Sequence, residues 1–558
     1  MNKVCKQCGV KFEITDEDLK FYDKVSPVFA GKKFQIPAPN LCPDCRQQRR
    51  LAMRNERKLY NRKCDLSGKQ IISMHSPDKP YKVYDQDEWW GDKWDGLDAG
   101  RDFDFSRTFT EQFIELYNSV PHASLFTNNV ENSYYTNFTL NQKNCYLVYG
   151  SGGAEDCIYA GFITYCKDCM DCLCLTNSEL CYEGVASDGC YSCKYFVNCR
   201  NCVDSIMIED CQSCKYCIAC FGLRGKEYCV MNKFIGKEKY EELVKQYEYL
   251  TPDLINNLRE NLKKVSGKLP HVQSHIFASE DCTGNAVFNC KNCHHAFESR
   301  NDEDCKFIYF TPKSHNTYDC SFCSPFGTRF CYNVCSTVDL ESSMCCFQIW
   351  YGNNIYYSIE CNTNCENLFG CAGLKKKKFC IFNKQYTEEE YGKMVAKIIE
   401  HMQKTGEWGE YFDFKVSSYG YNETIANEYY PLTKEQALKI GAKWEDASKD
   451  TVYHGDSIIP PENIKDVKDD ICDQILKCGV TGKHYKVIPP ELQFYKKMKL
   501  PIPRKCPDQR HFERLELHNP NKLWDRKCAK CEKEIKSVYA PERPEIVYCE
   551  ECYLKEAY

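Results

Sequence analysis

Forty-two cysteines in a chain of 558 residues constrain the fold more than any other feature. Disulfide scaffolds of that density are usually short and secreted. This chain is long, its opening MNKVCKQCGVKF has no apolar leader core, and no run approaches the roughly 18 apolar residues of a membrane span. It is expected to be cytoplasmic, with no membrane segment. In a reducing compartment its thiols are metal ligands, small buried side chains, or both. With 43% apolar and 14% aromatic residues the chain can build real cores. Lys plus Arg of 74 against Asp plus Glu of 79 excludes a wholesale polycation.

The two ends are copies of one module. The segment from Cys42, CPDCRQQRRLAMRNERKLYNRKC, aligns on CPDQRHFERLELHNPNKLWDRKC from Cys506 at an offset of 464. Upstream, CKQCGVKFEITDEDLKFY from Cys5 matches CGVTGKHYKVIPPELQFY from Cys478 at an offset of 473. Each copy keeps one cysteine quartet. Cys5, Cys8, Cys42 and Cys45 form two C-x2-C knuckles, where the other copy has Cys478, Thr481, Cys506 and Gln509. Cys528, Cys531, Cys549 and Cys552 form two more, where the first copy has Cys64, Ser67, Asp85 and Glu88. Paired knuckles aim four thiolates at one point, which suits structural zinc, so two zinc sites are expected.

The N-terminal knuckle, the Phe21-Tyr22 pair, Pro39 and the Cys-Pro-Asp-Cys-Arg run from Cys42 resemble a bacterial zinc-ribbon family of treble-clef type. The resemblance covers about 90 residues at each end and implies a knuckle, a β-hairpin, and a helix starting at the second C-x2-C. Arg46, Arg49, Arg50 and Arg54 recur at three and four residues and share a face able to neutralise the phosphates of RNA or DNA; a plain solvated charged face is the alternative.

The middle of the chain is Cys, Tyr, Asn, Gly and Asp without helical periodicity. Cys169, Cys190 and Cys211 recur at 21 residues, as do Cys172, Cys193 and Cys214. That spacing predicts 21-residue coils and resembles right-handed β-helix architectures. The stacked thiols are open to three readings: apolar or hydrogen-bonded ladders, extra zinc between corners of adjacent coils, or iron–sulfur ligands. A second lobe follows, since CFGLRGKEYCVMNKF from Cys220 matches CAGLKKKKFCIFNKQ from Cys371 at an offset of 151.

The expected fold is mainly β with added helices: two parallel β-helix-like solenoid lobes flanked by N- and C-terminal treble-clef zinc-ribbon modules. The segments are a zinc-ribbon module over 1–92, an acidic, Trp-rich linker and helix over 93–123, solenoid lobe 1 over 124–234 and a helical cap over 235–270. Solenoid lobe 2 spans 271–385, a helical segment 386–446, a linker 447–471 and the last module 472–558. Dinucleotide, phosphate-loop, zinc-protease and serine-hydrolase motifs are absent from the sequence. The chain is therefore expected to be a non-catalytic recognition or scaffold protein with a macromolecular partner, either protein or RNA held by the arginine face. Alternatives are a β-helix carbohydrate-active enzyme and an iron–sulfur or metal-storage protein using the ladder cysteines.

Overall fold

The computed structural model describes residues 1–323, 327–446 and 455–557; the first part of the expected linker, 447–454, lies outside them. The chain is mainly strand with added helices and divides into two compact units. Unit 1 takes Met1–Leu125, Ser274–Asp446 and Asn521–Leu523. Unit 2 takes Phe126–Gln273, Ala447–Pro520 and Trp524–Tyr558. The N-terminal module thus belongs with the second cysteine-rich array, and most of the C-terminal module with the first.

In unit 2, Lys167 pairs in parallel with Glu179, Lys194 with Ile206, Ile206 with Ile218, and Lys215 with Glu227. Each partner lies twelve residues on, so the coil is twelve residues and the expected 21-residue coil is corrected. The reason is a triplet beneath both periods. Asn129, Asn132, Tyr135, Phe138, Asn141, Asn144 and Leu147 all have φ between +44° and +56°, so every third residue turns a left-handed corner. Four triplets close a coil. Twenty-one residues are seven triplets, so Cys169, Cys190 and Cys211 all face inward, but each lies one coil and three further sides beyond the last. The column that actually stacks is Cys145, Cys157, Cys169, Cys181, Cys193, Ser205, Cys217 and Cys229, all buried.

The triplet explains the cysteines. Most inward side chains are small, and those with a donor serve the carbonyls that face them across a three-residue side; Ile163, Leu175, Phe196 and Ile208 fill inward positions with apolar bulk instead. The Cys169 thiol donates to the Lys167 carbonyl at 3.3 Å and the Ser178 carbonyl at 3.5 Å. Cys193 repeats this with Tyr191 and Cys202, at 3.4 Å each. Serine fills the same role: Ser178 Oγ donates to the Thr176 carbonyl at 2.9 Å and accepts the Cys190 N–H at 3.1 Å. Left-handed corners cost an ordinary residue roughly 1–2 kcal/mol each. Corner N–H groups offset this by pairing with the preceding coil, as Asp156 does with the Lys143 carbonyl at 2.9 Å.

Unit 1 uses the same coil with interruptions. Lys291 pairs with Glu303 and Tyr332 with Met344, twelve residues apart, but Ser314 pairs with Thr328, fourteen apart, and the register slips by one between Trp350 and Gly352. These insertions erase any clean period from the sequence. Each array ends in an antiparallel return, Cys229 against Phe234 and Cys380 against Gln385. Helix Pro252–Ser266 then packs on the last coils of unit 2, burying Ile255 and Leu258. Helix Glu388–Thr405 packs on strand Lys378–Ile381 of unit 1, burying Val395, Ile398 and Ile399. The acidic segment after Asp85 is a packed linker: Trp89 is fully buried, and Asp95 and Asp102 pair with Lys377 and Lys384.

Candidate metal centres and the docking face

The sulfurs of Cys5, Cys8, Cys42 and Cys45 all lie within 4.8 Å of one another, and so do those of Cys528, Cys531, Cys549 and Cys552. A tetrahedron with metal–sulfur bonds of about 2.3 Å has edges of about 3.8 Å. Cys8 Sγ and Cys42 Sγ are 3.6 Å apart, and Cys531 Sγ and Cys549 Sγ 3.8 Å. Either quartet can hold a metal ion with no coordination position left open. Among the described residues these are the two four-cysteine groups; interior thiols such as Cys169, Cys193 and Cys220 donate to carbonyls instead.

Local sequence builds each quartet. Strands Asn2–Val4 and Lys11–Glu13 bracket the first knuckle, whose turn is closed by Gly9 N–H to Cys5 O at 3.0 Å and Cys5 N–H to Val10 O at 2.9 Å. Cys42 is the N-cap residue of helix Pro43–Leu51, where helix N–H groups favour its thiolate, while Cys45 in the first turn is held up by its hydrogen bond to Cys42 and by burial. Hydrogen bonding from the Cys45 thiol pulls the Cys42 thiol down to about 5, against the effect of burial. Burial also opposes ionisation of Cys528, yet the N–H groups of Cys549, Cys531 and Lys530 hold it down at about 6.

The two degenerate quartets keep the same backbone. Cys64 N–H reaches Lys69 O at 2.8 Å, and Cys478 N–H reaches Lys483 O at 2.9 Å. The Asp85 N–H meets Cys64 Sγ at 3.2 Å, the same contact that Cys549 N–H makes with Cys528 Sγ at 3.2 Å. The Cys64 thiol donates to Glu88 Oε2 at 2.8 Å. In the other copy Thr481 Oγ1 lies 3.8 Å from Cys506 Sγ, and Lys483 pairs with Asp508 at 2.6 Å.

The arginine face is not a solvent-facing phosphate site, and that expectation is corrected. Arg46, Arg50 and Arg54 are 2%, 1% and 5% exposed. Arg46 Nε and Arg50 Nη1 both donate to Asp319 Oδ1, at 2.9 and 3.2 Å. Arg50 also reaches Asn333 at 3.0 Å, and Arg54 pairs with Glu56 and lies 4.2 Å over the Phe322 ring. Arg49 is half-buried, 5.8 Å over Phe414. The helix docks its basic side on the array within unit 1. Periodicity locates one face of a helix; it does not say whether water or protein meets it.

Unit 2 repeats this contact at two of the four positions, with Glu513 and His518 standing where unit 1 has Arg49 and Arg54. Arg510 and Arg514, at the positions of Arg46 and Arg50, both pair with Asp171, Arg514 at 2.9 Å. Arg510 Cζ lies 4.9 Å over Tyr159, as Arg46 Cζ lies 5.0 Å over Phe307. A second docking point is also shared. Tyr553 donates to Asp210 at 2.6 Å and packs 5.7 Å under Arg224. Its counterpart Trp89 lies 5.8 Å under Lys375, which donates to the Trp89 and Gly91 carbonyls at 2.9 and 2.6 Å. Sequence reading missed Asp171 and Asp319, which are corner residues of the triplet with φ of 54° and 56°. The visible clue was their spacing of 148, short of the lobe offset of 151 by the insertions of unit 1. Scans of known family models and of curated proteins find no match to this chain.

Proposed function

We propose that this protein is a non-catalytic, cytoplasmic scaffold: two β-helical solenoids, each locked by a treble-clef zinc-ribbon module, presenting a long surface to a protein partner. The observation that carries the reading is the pair of closed four-cysteine groups with tetrahedral sulfur spacing. Zn(II) is the metal such a donor set favours, and with four thiolate ligands it organises structure and activates no water. Burial of Arg46, Arg50 and Arg54 favours protein over RNA as the partner. So does the exposed column Glu131, Lys143, Glu155, Lys167, Glu179 of unit 2, in which successive rungs alternate in sign. Lys167 and Glu155 pair there at 3.3 Å, which leaves little net field for a polyanion.

Native mass spectrometry of the purified chain, with metal analysis, tests the reading. Two zinc ions per chain and no retained nucleic acid are expected. Iron in place of zinc, or RNA binding that falls steeply with salt, would replace this reading with another.

A further inference from the structure

The four knuckle pairs and the two docking points fall into a crossed pattern. In unit 1 the quartet Cys5, Cys8, Cys42 and Cys45 stands at the start of helix Pro43–Leu51, which carries Arg46 and Arg50 to Asp319. The second docking point of that unit, Trp89 on Lys375, follows the degenerate quartet, where the Cys64 thiol bonds Glu88 at 2.8 Å. Unit 2 has the reverse. Helix Pro507–Leu517, carrying Arg510 and Arg514 to Asp171, starts at degenerate Cys506, tied by Thr481 and by the Lys483–Asp508 pair at 2.6 Å. The quartet Cys528, Cys531, Cys549 and Cys552 instead heads helix Glu550–Ala557, which brings Tyr553 to Asp210 and Arg224.

We propose that metal occupancy controls a different docking contact in each unit: the arginine clamp on Asp319 in unit 1, and the Tyr553 contact on Asp210 in unit 2. This rests on the reading of both quartets as zinc sites. The ion is what ties Cys5 and Cys8 to Cys42 and Cys45, so its loss removes four metal–sulfur bonds and loosens the first turn of Pro43–Leu51, which begins at Cys42. Pro507–Leu517 has no such dependence, because the Thr481–Cys506 contact and the Lys483–Asp508 ion pair hold its first turn. The chain is thereby a metal-responsive latch whose two halves release different faces of the arrays.

Hydrogen exchange with mass spectrometric readout on the full chain, before and after chelation, tests this, with zinc content measured in each state. Removing zinc is expected to lower protection of Pro43–Leu51 and of strand Val547–Tyr548 at least tenfold, leaving Pro507–Leu517 unchanged. Equal loss in Pro43–Leu51 and Pro507–Leu517, or loss in neither, overturns the latch. Should chelation melt the whole chain, single-site variants decide. Cys8→Ser, retaining one zinc, must release Pro43–Leu51 alone, and Cys531→Ser must release Val547–Tyr548 alone; any other pattern overturns the proposal. A purified chain with no zinc at all would instead sink the zinc reading on which it rests.

Discussion

Arg50 Nη1 and Asp319 Oδ1 meet at 3.2 Å with neither side chain more than 1% exposed, and Arg46 shares the same carboxylate oxygen. One carboxylate therefore serves two buried guanidiniums. Asp319→Ala leaves both charges buried without it, and breaking such a pair costs about 3–5 kcal/mol. Unit 1 is expected to melt well below unit 2 in calorimetry of this variant. By contrast, Asp525→Ala, which breaks the exposed Lys536–Asp525 pair, should shift stability by less than about 1 kcal/mol.

Glu360 of unit 1 is fully buried, accepts from Tyr117 OH at 3.1 Å, and is pushed by burial from 4.5 up to about 8. A raised folded-state value means that its contribution is intact below pH 4.5 and is lost as pH climbs toward 8. The slope within that window is about 1.4 kcal/mol per pH unit. Glu360→Gln should flatten the decline, so that the variant melts higher than the parent at pH 8 and no higher at pH 4.5. Melting curves across that range check it.

Within the stacked column, Cys193→Ser should cost no more than about 1 kcal/mol, the scale of a single hydrogen bond. Ser178, Ser187 and Ser205 already occupy inward positions, and each accepts the N–H twelve residues on. Cys193→Leu overfills the three-residue side and should cost about 1–3 kcal/mol or more. Thermal melting of the two variants side by side distinguishes them.

The degenerate quartet of unit 2 already holds its knuckle turn and two of four sulfurs. Thr481→Cys with Gln509→Cys should therefore add one metal ion to the two proposed for the parent chain, read by native mass spectrometry. A variant that folds and still binds two would show that the retained turn does not aim the new thiols inward.

The sequence comparisons at offsets 473 and 464 were together enough to find both quartets and to see that each copy had lost one, because metal ligands tolerate no substitution without losing the ion. Inward positions of the arrays were legible too: Cys169, Cys190 and Cys211 do face the interior. The coil length was not, since any multiple of three lands on an inward side and only the pairing of Lys167 with Glu179 selects twelve. The arginine face was misjudged because the carboxylate that receives it is 273 residues away and stands at an unremarkable corner. Asp319 has no local signature that separates it from Asp168 or Asp304, which occupy corners as well.

The crossed composition of the units sets an order on the birth of the protein. Arg46 and Arg50 leave the ribosome 273 and 269 residues before the carboxylate they need, so the first helix must wait with its cations in water. In unit 2 the wait is reversed: Asp171 is made 339 residues before Arg510 arrives. Since unit 1 also takes Asn521–Leu523 and unit 2 takes the residues after them, neither half reaches its final form until the chain has been made past residue 520. Closure at such long separations is slow, because the intervening chain must be ordered before the contact rewards it.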